Sequence, residues 1–394
     1  MTKVLIISPS FPYPEHKDGI AKINYNLLIR SFNYKADLLC IEDTKIVPIK
    51  DIKIFSIPLL KPLNKFKLLS KWLLTFKPFN VIKYEHYLQY IAQQLNEIHH
   101  NYDVLHVSSP FFAPLIDFVS KDIKEKMILF PIDSLSLFTQ RRIQKEKQFI
   151  KRVAFRFDLF KCMKFESNYY QKYNKVVFVS DVDSEYVKKL NQNINTHFIP
   201  NGVDVDFFKK NDKREIEHNS LIFTGDMAYG PNEDAALFLI EEIYPLVKKE
   251  LDIKLYIVGQ RPTEKIKKYQ SKDIIITGFV DDIRTYIDKA SIYVSPLRYG
   301  SGIKNKILEA MSMSKIVIGT DVSFDAIDVE DKNNCVKISY ESQEIANTIV
   351  KILNNKDKYK DIETNARKTI EKKYSWDGIS LQYGELYENS ISNR

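Results

Sequence analysis

The stretch PLRYGSGIKNKILEAMSMSKIVIGT, which runs from Pro296 to Thr320, decides how this sequence is interpreted. It follows an apolar run typical of a β-strand, and it begins as a loop in which two glycines flank a serine. Two lysines then lead into an apolar helical pattern that contains a single carboxylate. The order strand, loop and helix places the loop beyond the carboxyl end of a strand, where open parallel sheets bind their ligands.

The residue types in this loop suit a phosphate or a diphosphate. Gly300 and Gly302 allow the backbone to approach a ligand closely, and the amino-terminal end of a helix that starts near Lys304 attracts anions. Lys304 and Arg298 add positive charge. Glu309 lies about 1.5 turns into the helix, where it would repel a phosphate in direct contact and would suit hydroxyl groups such as a ribose diol. The alternative to a ligand site is a glycine-rich turn with a surface glutamate, neither of which has a functional role.

Two common nucleotide motifs are absent from the sequence. The order GxxxxGK[ST] of a P-loop does not occur in this loop, and no GxGxxG follows the first apolar run. The first absence argues against a P-loop enzyme, and the second argues against dinucleotide binding.

Length and composition indicate two domains in a reducing compartment. A chain of 394 residues is too long for one ordinary core. Its three cysteines lie far apart without a CxxC pair, which argues against a disulfide framework and a zinc site. The apolar run Val4–Ile7 is too short for a signal-peptide core, and no run of about 18 apolar residues occurs. We therefore expect a cytoplasmic location, or the inner face of the plasma membrane.

Strand-like runs alternate with amphipathic helical patterns in both halves of the chain, which predicts α/β domains with parallel sheets. A long basic helix is predicted from about Phe138 to Tyr173. The apolar periodicity stops at Ile199, and the turn formers Pro200, Asn201 and Gly202 follow, which predicts a domain boundary there.

The loop and its surroundings resemble a known family. GSGIKNKILEAMSMSKIVIGT is similar to the nucleotide-sugar signature of retaining glycosyltransferases of family 4, also called glycosyl transferases group 1, in their bacterial polysaccharide-biosynthesis branch. The segments IPNGVD, FTGDMAYGPNEDAALFLIEEIYP, LYIVGQRP and ITGFVDDIRTYIDKASIYVSPLR occur in family order, whereas the first half, including SPSFPYPEHKDGIAK, matches more weakly. The resemblance implies the GT-B fold, with two doubly wound Rossmann-like domains facing a central cleft.

The resemblance also implies a division of labour along the chain. Residues 1–198 would form an acceptor-binding domain, and residues 199–374 would form the domain that binds the nucleotide-sugar donor. The segment YSWDGISLQYGELY resembles a closing helix, so residues 375–394 would cross back to the first domain.

Site residues follow from the matching positions. Glu309 would hold the ribose, and Lys304 would stabilise the charge of the departing diphosphate. The other donor contacts are Gly19, Gly225, Met227, Val280, Asp281, Gly300, Ser301, Gly302 and Ile303.

Two departures from the family pattern concern charge. Many relatives have a second glutamate at the position of Ser301, and many have an arginine and a lysine in the loop that is GDMAYGPNED here. The diphosphate charge would then rest on Lys304, the helix terminus, Arg298 and Arg261.

Two polar residues of the first half, His106 and Asp133, have two interpretations each, and a third, Glu166, has one. His106 would contact donor or acceptor, or it is a hydrogen-bonded histidine at a strand end. Asp133 would orient an acceptor hydroxyl or act as a base, or it caps a helix, for which Ser134 and Ser136 compete. Glu166 is expected to be structural and to pair with basic neighbours.

A metal site is not predicted. Asp181-Val182-Asp183 imitates the DxD metal motif of another glycosyltransferase fold, but it stands where a helix begins, and acids there bind backbone N–H groups. No cofactor is expected beyond the nucleotide-sugar substrate.

The positive charge is concentrated in two segments. Lys45–Lys83 has nine lysines and one acid, and Arg141–Lys175 has eleven basic and three acidic residues. Within the first segment, Leu59–Tyr84 interleaves lysines with Trp, Phe and Leu, which suits an anionic membrane surface. The alternative is a helix pair that packs on its own domain. Nucleic acid is not an expected partner, because no nucleic-acid-binding pattern accompanies the charge.

The sequence thus predicts a metal-independent, retaining glycosyltransferase that moves a sugar from a nucleotide-diphosphate sugar to a glycan or lipid-linked acceptor of a bacterial surface polysaccharide. Two alternatives stay open: a nucleotide-sugar 2-epimerase of the same fold, and a non-catalytic glycosyltransferase-like subunit that binds a membrane or a partner.

Overall fold

The computed structural model describes residues 1–13, 19–146, 148–211, 214, 216–300 and 302–392. The chain divides into two compact units, of which the first comprises Met1–Asn201 with Asp377–Arg394 and the second comprises Gly202–Trp376. Each unit is built on one parallel sheet.

The first unit contains a seven-stranded sheet in the order β3-β2-β1-β4-β5-β6-β7. Its strands are β1 Thr2–Ser8, β2 Tyr34–Glu42, β3 Ile54–Pro58, β4 Val104–Val107, β5 Met127–Ile132, β6 Val176–Phe178 and β7 Thr196–Phe198. Its helices are α1 Gly19–Ile29, α2 Lys65–Leu74, α3 Phe79–Tyr84, α4 Leu88–Ile98, α5 Lys121–Lys126, α6 Leu135–Lys145, α7 Phe149–Tyr170 and α8 Asp181–Leu190, with short 3₁₀ turns at Glu85–Tyr87, His99–Asn101 and Pro110–Asp117.

The second unit contains a six-stranded sheet in the order β10-β9-β8-β11-β12-β13. Its strands are β8 Ser220–Thr224, β9 Lys254–Val258, β10 Ile274–Ile276, β11 Ile292–Ser295, β12 Val317–Gly319 and β13 Val336–Lys337. Its helices are α9 Gly230–Phe238, α10 Tyr244–Glu250, α11 Glu264–Lys267, α12 Arg284–Lys289, α13 Asn305–Ser312, α14 Ser342–Asn354 and α15 Lys360–Lys373, with a π-helical segment at Leu239–Ile243 and a 3₁₀ turn at Lys356–Tyr359.

Both sheets change direction at their first strand. Val4–Ile7 of β1 are buried on both faces, as expected for a parallel strand that helices cover on both sides. β1 pairs with β2 on one side and with β4 on the other, and β8 is flanked in the same way by β9 and β11. Such a reversal of strand order opens a crevice at the carboxyl ends of the two strands that flank it.

A last helix, α16 Trp376–Ser392, follows α15 and joins the first unit from Asp377 onward. Its Ser380 hydroxyl lies 3.0 Å from the Tyr34 hydroxyl, and the Asp377 carboxylate accepts a hydrogen bond of 2.6 Å from Arg30. Tyr383 and Tyr387 of the same helix are buried among the aromatic rings of the first unit.

One expectation about the helices is wrong. The long basic helix predicted from about Phe138 to Tyr173 is in fact two helices: α6 ends at Lys145, and α7 begins at Phe149. Glu146 and Gln148 have extended backbone angles, with ψ of 121° and 117°. Neither glycine nor proline marks this break, so hydrophobic periodicity alone did not reveal it.

We expect Gly202→Ala to destabilise the second unit. A Cβ at Gly202 would lie 2.5 Å from Cδ2 of Trp376, whose side chain is 2% exposed and has little room to move. Overpacking of this kind costs about 1–3 kcal/mol of unfolding free energy, which urea titration measures. Gly19→Ala is the matched control, since its Cβ would meet nothing within 4 Å. Equal stability of the two variants would contradict the prediction.

Candidate functional site

The strand reversal of the second unit brings three loops together at the carboxyl edge of its sheet. Gly225 follows β8, Gly259 follows β9, and Gly300 belongs to the loop after β11. All three have positive φ, of 153°, 140° and 144°, where a side chain would be strained. A Cβ on Gly259 would lie 1.9 Å from the Gly225 carbonyl oxygen. These glycines therefore permit a close backbone approach that other residues would prevent.

The loop after β11 leads directly into α13. Gly302 has a φ of 68°, and Lys304 occupies the N-cap position of the helix. The Lys304 ammonium group donates a hydrogen bond of 2.5 Å to the Gly302 carbonyl, which keeps it at the helix terminus. Ile303 is half-buried and packs against the core of the unit. Ser301 lies outside the described residues.

Lys306 is a site residue that the sequence interpretation missed. Its ammonium group donates a hydrogen bond of 2.5 Å to the Asn232 side chain and lies 4.3 Å from the centre of the Phe223 ring. Burial, and to a smaller degree the charge of Lys304, lowers the pKa of Lys306 to about 7. Lys306 thus joins α13 to the segment that follows β8, at the point where strand order reverses. The sequence feature that could have indicated Lys306 is that it is the second lysine between the glycine loop and the apolar part of the helix.

Glu309 lies half-buried on α13, three residues beyond Lys306 and on the same side of the helix. The negative charge of Glu309 partly opposes the lowering of the Lys306 pKa that burial causes. The same charge adds to the raised pKa of Tyr293 on β11. The Tyr293 hydroxyl in turn lies 2.7 Å from the Thr224 hydroxyl at the end of β8. Glu309 is therefore near enough to Lys306 and Tyr293 for its charge to act on both.

Both arginines of the expected site are engaged by carboxylates. Arg298 donates two hydrogen bonds to Asp234, of 2.9 and 2.7 Å, and Arg261 forms an ion pair with Asp226 that includes a hydrogen bond of 3.0 Å. Each arginine would have to exchange its carboxylate to bind a phosphate. Lys304 and Lys306 are therefore better placed than either arginine to supply charge.

Met227 and Val280 contribute differently from one another. The Met227 side chain is fully buried in the core and its N–H donates to Gln260, so Met227 supports the loop rather than facing a ligand. Val280 is half-buried and Asp281 is exposed in the loop after β10. Their neighbour Phe279, which the sequence interpretation did not select, exposes 70% of its side chain. An exposed aromatic ring at this edge offers a stacking surface for a nucleobase.

The first unit has a cavity of about 610 Å³ at the carboxyl edge of its own sheet, which we call the Asp133 cavity. Asp133 and Gly19 both contribute to its lining. Ile132, just before Asp133, has a φ of 71°, and the pairing of β5 with β6 is irregular there. Such strain at a β-branched residue is characteristic of functional sites. The other residues of the lining are Pro9, Ser10, Ile20, Ile41, Asp43, Leu59, Asn80, Tyr84, Tyr87, Pro110, Phe111, Pro131, Ile132, Ser134, Leu135 and Phe138.

The capping interpretation of Asp133 does not hold. Ser134 is the N-cap of α6, and its hydroxyl accepts a hydrogen bond from the Leu137 N–H. Asp133 therefore remains a candidate for contact with an acceptor.

His106 is part of the core. It is fully buried, its Nδ1 lies 2.7 Å from the Tyr387 hydroxyl, and its ring stacks on Phe130 at 3.5 Å. Burial holds the pKa of His106 well below its usual value, so it is neutral at pH 7. These contacts favour the structural interpretation, in which His106 supports α16.

Glu166 is structural, as expected, but its partners are not basic. Its carboxylate accepts hydrogen bonds from the Leu135 N–H at 2.7 Å and from the Ser134 and Ser136 hydroxyls. Asp183, of the DVD sequence, accepts a bond of 2.8 Å from the Ser134 N–H. Two buried carboxylates thus hold the turn that follows Asp133. In the described residues there is no group of three or more His, Cys, Asp or Glu side chains that could hold a metal ion.

We expect Glu166 to make stability depend on pH. Burial raises the pKa of Glu166 to about 7, so between about pH 4.5 and pH 7 the folded state holds a proton that the unfolded state releases. The unfolding free energy should fall by about 2 kcal/mol more in the wild type than in Glu166→Gln as pH rises through this window. Urea titrations at both limits measure this, with exposed Glu250→Gln as the control. An identical pH dependence in wild type and Glu166→Gln would refute the assignment.

Comparison with known proteins identifies the second unit. Residues 218–355, which include the Lys306 site, match the model of a family described as Glycosyl transferases group 1. This segment, which makes up most of the second unit, is similar to group 1 glycosyltransferases. Solved structures with low sequence identity share the fold of the whole chain, which confirms the predicted α/β GT-B architecture. Sucrose-phosphate synthase from Thermosynechococcus elongatus has a TM-score of 0.70 and 14% identity, with complete coverage of both chains.

Three further proteins are similar to this chain in fold or in sequence. The HepE protein of Anabaena, solved in complex with UDP and glucose, has a TM-score of 0.68 and 14% identity over 99% of this chain and 100% of its own. An uncharacterised 44.6 kDa protein in the cps region of Klebsiella pneumoniae is 23% identical over 95% of this chain and 97% of its own. The capsular polysaccharide glycosyltransferase CapM of Staphylococcus aureus is 25% identical over 39% of this chain and 43% of its own.

Proposed function

We propose that this glycosyltransferase moves a sugar from a nucleoside-diphosphate sugar to a hydroxyl group of a glycan or lipid-linked acceptor in the synthesis of a surface polysaccharide. One observation carries the proposal: glycine loops, a helix terminus, two lysines and a half-buried glutamate meet where the strand order of the second unit reverses. The family match and the neighbour solved with UDP support a nucleotide-sugar donor.

Each part of the donor has a matching group in the second unit. The backbone around Gly302 and the terminus of α13 suit the diphosphate, with Lys304 and Lys306 on either side of the first helical residue. Glu309 accepts hydrogen bonds, as the two hydroxyls of a ribose require. Phe279 and Val280 suit the base.

The chemistry needs stabilisation of a leaving group more than a protein nucleophile. The bond between the sugar C1 and the β-phosphate oxygen breaks, and the acceptor oxygen bonds to C1 on the face that the phosphate leaves, so that configuration is retained. The acceptor proton passes to an oxygen of the departing diphosphate. The terminus of α13 and the two lysines stabilise the negative charge that develops there, in a preorganised electrostatic environment. This charge would stand in for a metal ion.

The first unit offers the acceptor site. The Asp133 cavity is large enough for a sugar ring, and Asp133 can orient an acceptor hydroxyl by accepting its hydrogen bond. The relatives from capsule loci support an acceptor that belongs to a growing surface glycan.

The primary test is a thermal-shift screen of the protein against UDP, GDP, ADP, CDP and TDP, with and without EDTA. A ligand at about 100 times its Kd stabilises the fold by about 2.7 kcal/mol, so one nucleotide should raise the Tm whether or not EDTA is present. Glu309→Ala should weaken its binding by about tenfold, because the ribose loses a hydrogen-bond acceptor worth about 1.4 kcal/mol, whereas exposed Glu250→Ala should not.

Different outcomes would separate the alternatives. Unchanged affinity in Glu309→Ala would remove Glu309 from the site, and no shift with any nucleotide would favour a non-catalytic subunit. Release of nucleoside diphosphate that requires an acceptor distinguishes transfer from epimerisation.

We expect nucleotide binding to take up a proton at Lys306. A diphosphate nearby favours the charged lysine, and the pKa of Lys306 starts at about 7, so affinity should fall by up to tenfold as pH rises from about 7 to about 8. Two charged residues act on the ammonium group of Lys306: Lys304 lowers its pKa, and Glu309 raises it. Calorimetry in two buffers with different protonation enthalpies measures the uptake.

Lys306→Met is the matched comparison for this measurement, since the titration of the nucleotide itself is common to both proteins. Loss of the proton uptake in Lys306→Met is the expected result. The same uptake in both proteins would place Lys306 outside the site.

A further inference from the structure

Two helices of the first unit expose an unusual number of large apolar side chains. On and just after α2, the exposed fractions are 80% for Phe66, 48% for Leu69, 58% for Leu73, 85% for Leu74 and 74% for Phe76. On α7 they are 76% for Phe149, 82% for Ile150, 49% for Val153, 42% for Phe157 and 47% for Phe160. Isolated exposed apolar residues are ordinary, but a concentration of this size marks an interaction surface.

The start of α7 stands clear of the rest of the first unit. All five residues of Phe149–Val153 are exposed, although a helix that lies on a core would bury about one side of its circumference. α6 and α7 pack against each other as a hairpin, and this exposed turn opens α7 shortly after α6 ends at Lys145. The hairpin therefore ends in a tip that carries Phe149 and Ile150.

Specific contacts join α2 to the same hairpin. The Trp72 indole N–H donates a hydrogen bond of 2.8 Å to Asp158, and its ring meets the Phe157 ring edge-on at 5.3 Å. The Lys161 ammonium group donates a bond of 2.7 Å to the Thr75 carbonyl. These contacts make the exposed sides of α2 and α7 one surface, which we call the hairpin face.

The charge of the hairpin face is positive. Lys65, Lys67, Lys151, Arg152 and Arg156 are all exposed beside its apolar residues. α2 and α6 contain no acidic residue, and α7 contains two, Asp158 and Glu166. Asp158 bonds to Trp72, and Glu166 is buried. An apolar surface bordered by cations is complementary to a bilayer with anionic headgroups, where aromatic and aliphatic side chains enter the interface and the cations meet phosphate groups.

A mainly apolar groove lies between α2 and the α6–α7 hairpin and adjoins the Asp133 cavity. Its volume is about 230 Å³, and its lining includes Leu69 and Trp72 of α2 and Phe155 of α7. The groove and the Asp133 cavity share three lining residues, Asn80, Leu135 and Phe138. The groove therefore lies next to the Asp133 cavity, on the side of the hairpin face.

We propose that the hairpin face docks the protein on an anionic lipid bilayer, and that the groove receives the hydrocarbon part of an acceptor held in that bilayer. The surface extends beyond the Leu59–Tyr84 segment expected from the sequence, since its most exposed turn belongs to α7. The role of the groove in holding an acceptor rests on the proposed function, whereas docking of the protein on the bilayer does not. No described helix is long and apolar enough to cross a membrane, so the contact is with one surface.

The docking is tested by co-sedimentation of the full chain with vesicles of phosphatidylglycerol and phosphatidylcholine, compared with phosphatidylcholine alone. Phe149→Ser/Ile150→Ser and Lys151→Glu/Arg152→Glu should each lower binding to the anionic vesicles at least tenfold. The matched controls carry the same changes elsewhere: Phe32→Ser/Phe198→Ser, whose side chains are 54% and 52% exposed, and Lys249→Glu/Lys368→Glu in the second unit. All four should keep the Tm and the nucleotide affinity of the wild type.

The groove is tested by the fluorescence of Trp72, isolated by Trp376→Phe. Anionic vesicles whose acyl chains carry bromine should quench Trp72, and the quenching should disappear in Phe149→Ser/Ile150→Ser. Vesicle binding without quenching would overturn the role of the groove. Failure to bind anionic vesicles, equal binding to neutral ones, or equal losses in the control variants would overturn the docking. Nucleotide binding measured on the same samples keeps this result separate from the donor site.

Discussion

The reversal of strand order at β1 and at β8 is the constraint on which both candidate sites depend. Each unit builds outward from its first strand in one direction and then returns to pair on the other side of that strand, so consecutive helices leave the sheet on opposite faces. The space between them cannot be closed by the helices themselves. In the second unit glycine loops and α13 border this space, and in the first unit the Asp133 cavity occupies the equivalent position. Both candidate sites therefore follow from this topology.

Electrostatics distinguishes the donor site from a simple cluster of cations. Asp226 and Asp234 hold the two arginines, so much of the expected positive charge is neutralised. The Lys306 ammonium group lies over the Phe223 ring, and burial lowers its pKa. The charge of Glu309 partly opposes this lowering. In the proposed site, Lys306 would gain charge as a diphosphate enters, because its pKa starts at about 7. We propose that Lys306, from the facing helix, compensates in part for the basic residues that the loop GDMAYGPNED lacks.

The sequence predicted the strands better than the roles of individual polar residues. The apolar run Val4–Ile7 lies within β1, because buried parallel strands are continuous apolar segments. His106 had two interpretations, and only the packing of α16 showed that its partner is Tyr387, which lies far along the chain. Glu166 was expected to meet basic residues, yet it binds the start of α6, since burial favours hydroxyl and amide donors that are already close. The break before Phe149 had no local signal.

By itself, the sequence determined the two α/β domains, the glycine-rich loop before α13 and the position of Glu309, because these depend on local periodicity, turn formers and short motifs. Tertiary structure decided which charges meet. It paired Arg261 with Asp226 and brought Lys306 to Asn232. It also joined α2 to the α6–α7 hairpin as one exposed surface. These outcomes depend on contacts between residues that are distant in sequence, and such contacts follow from how helices pack on a sheet rather than from any local pattern.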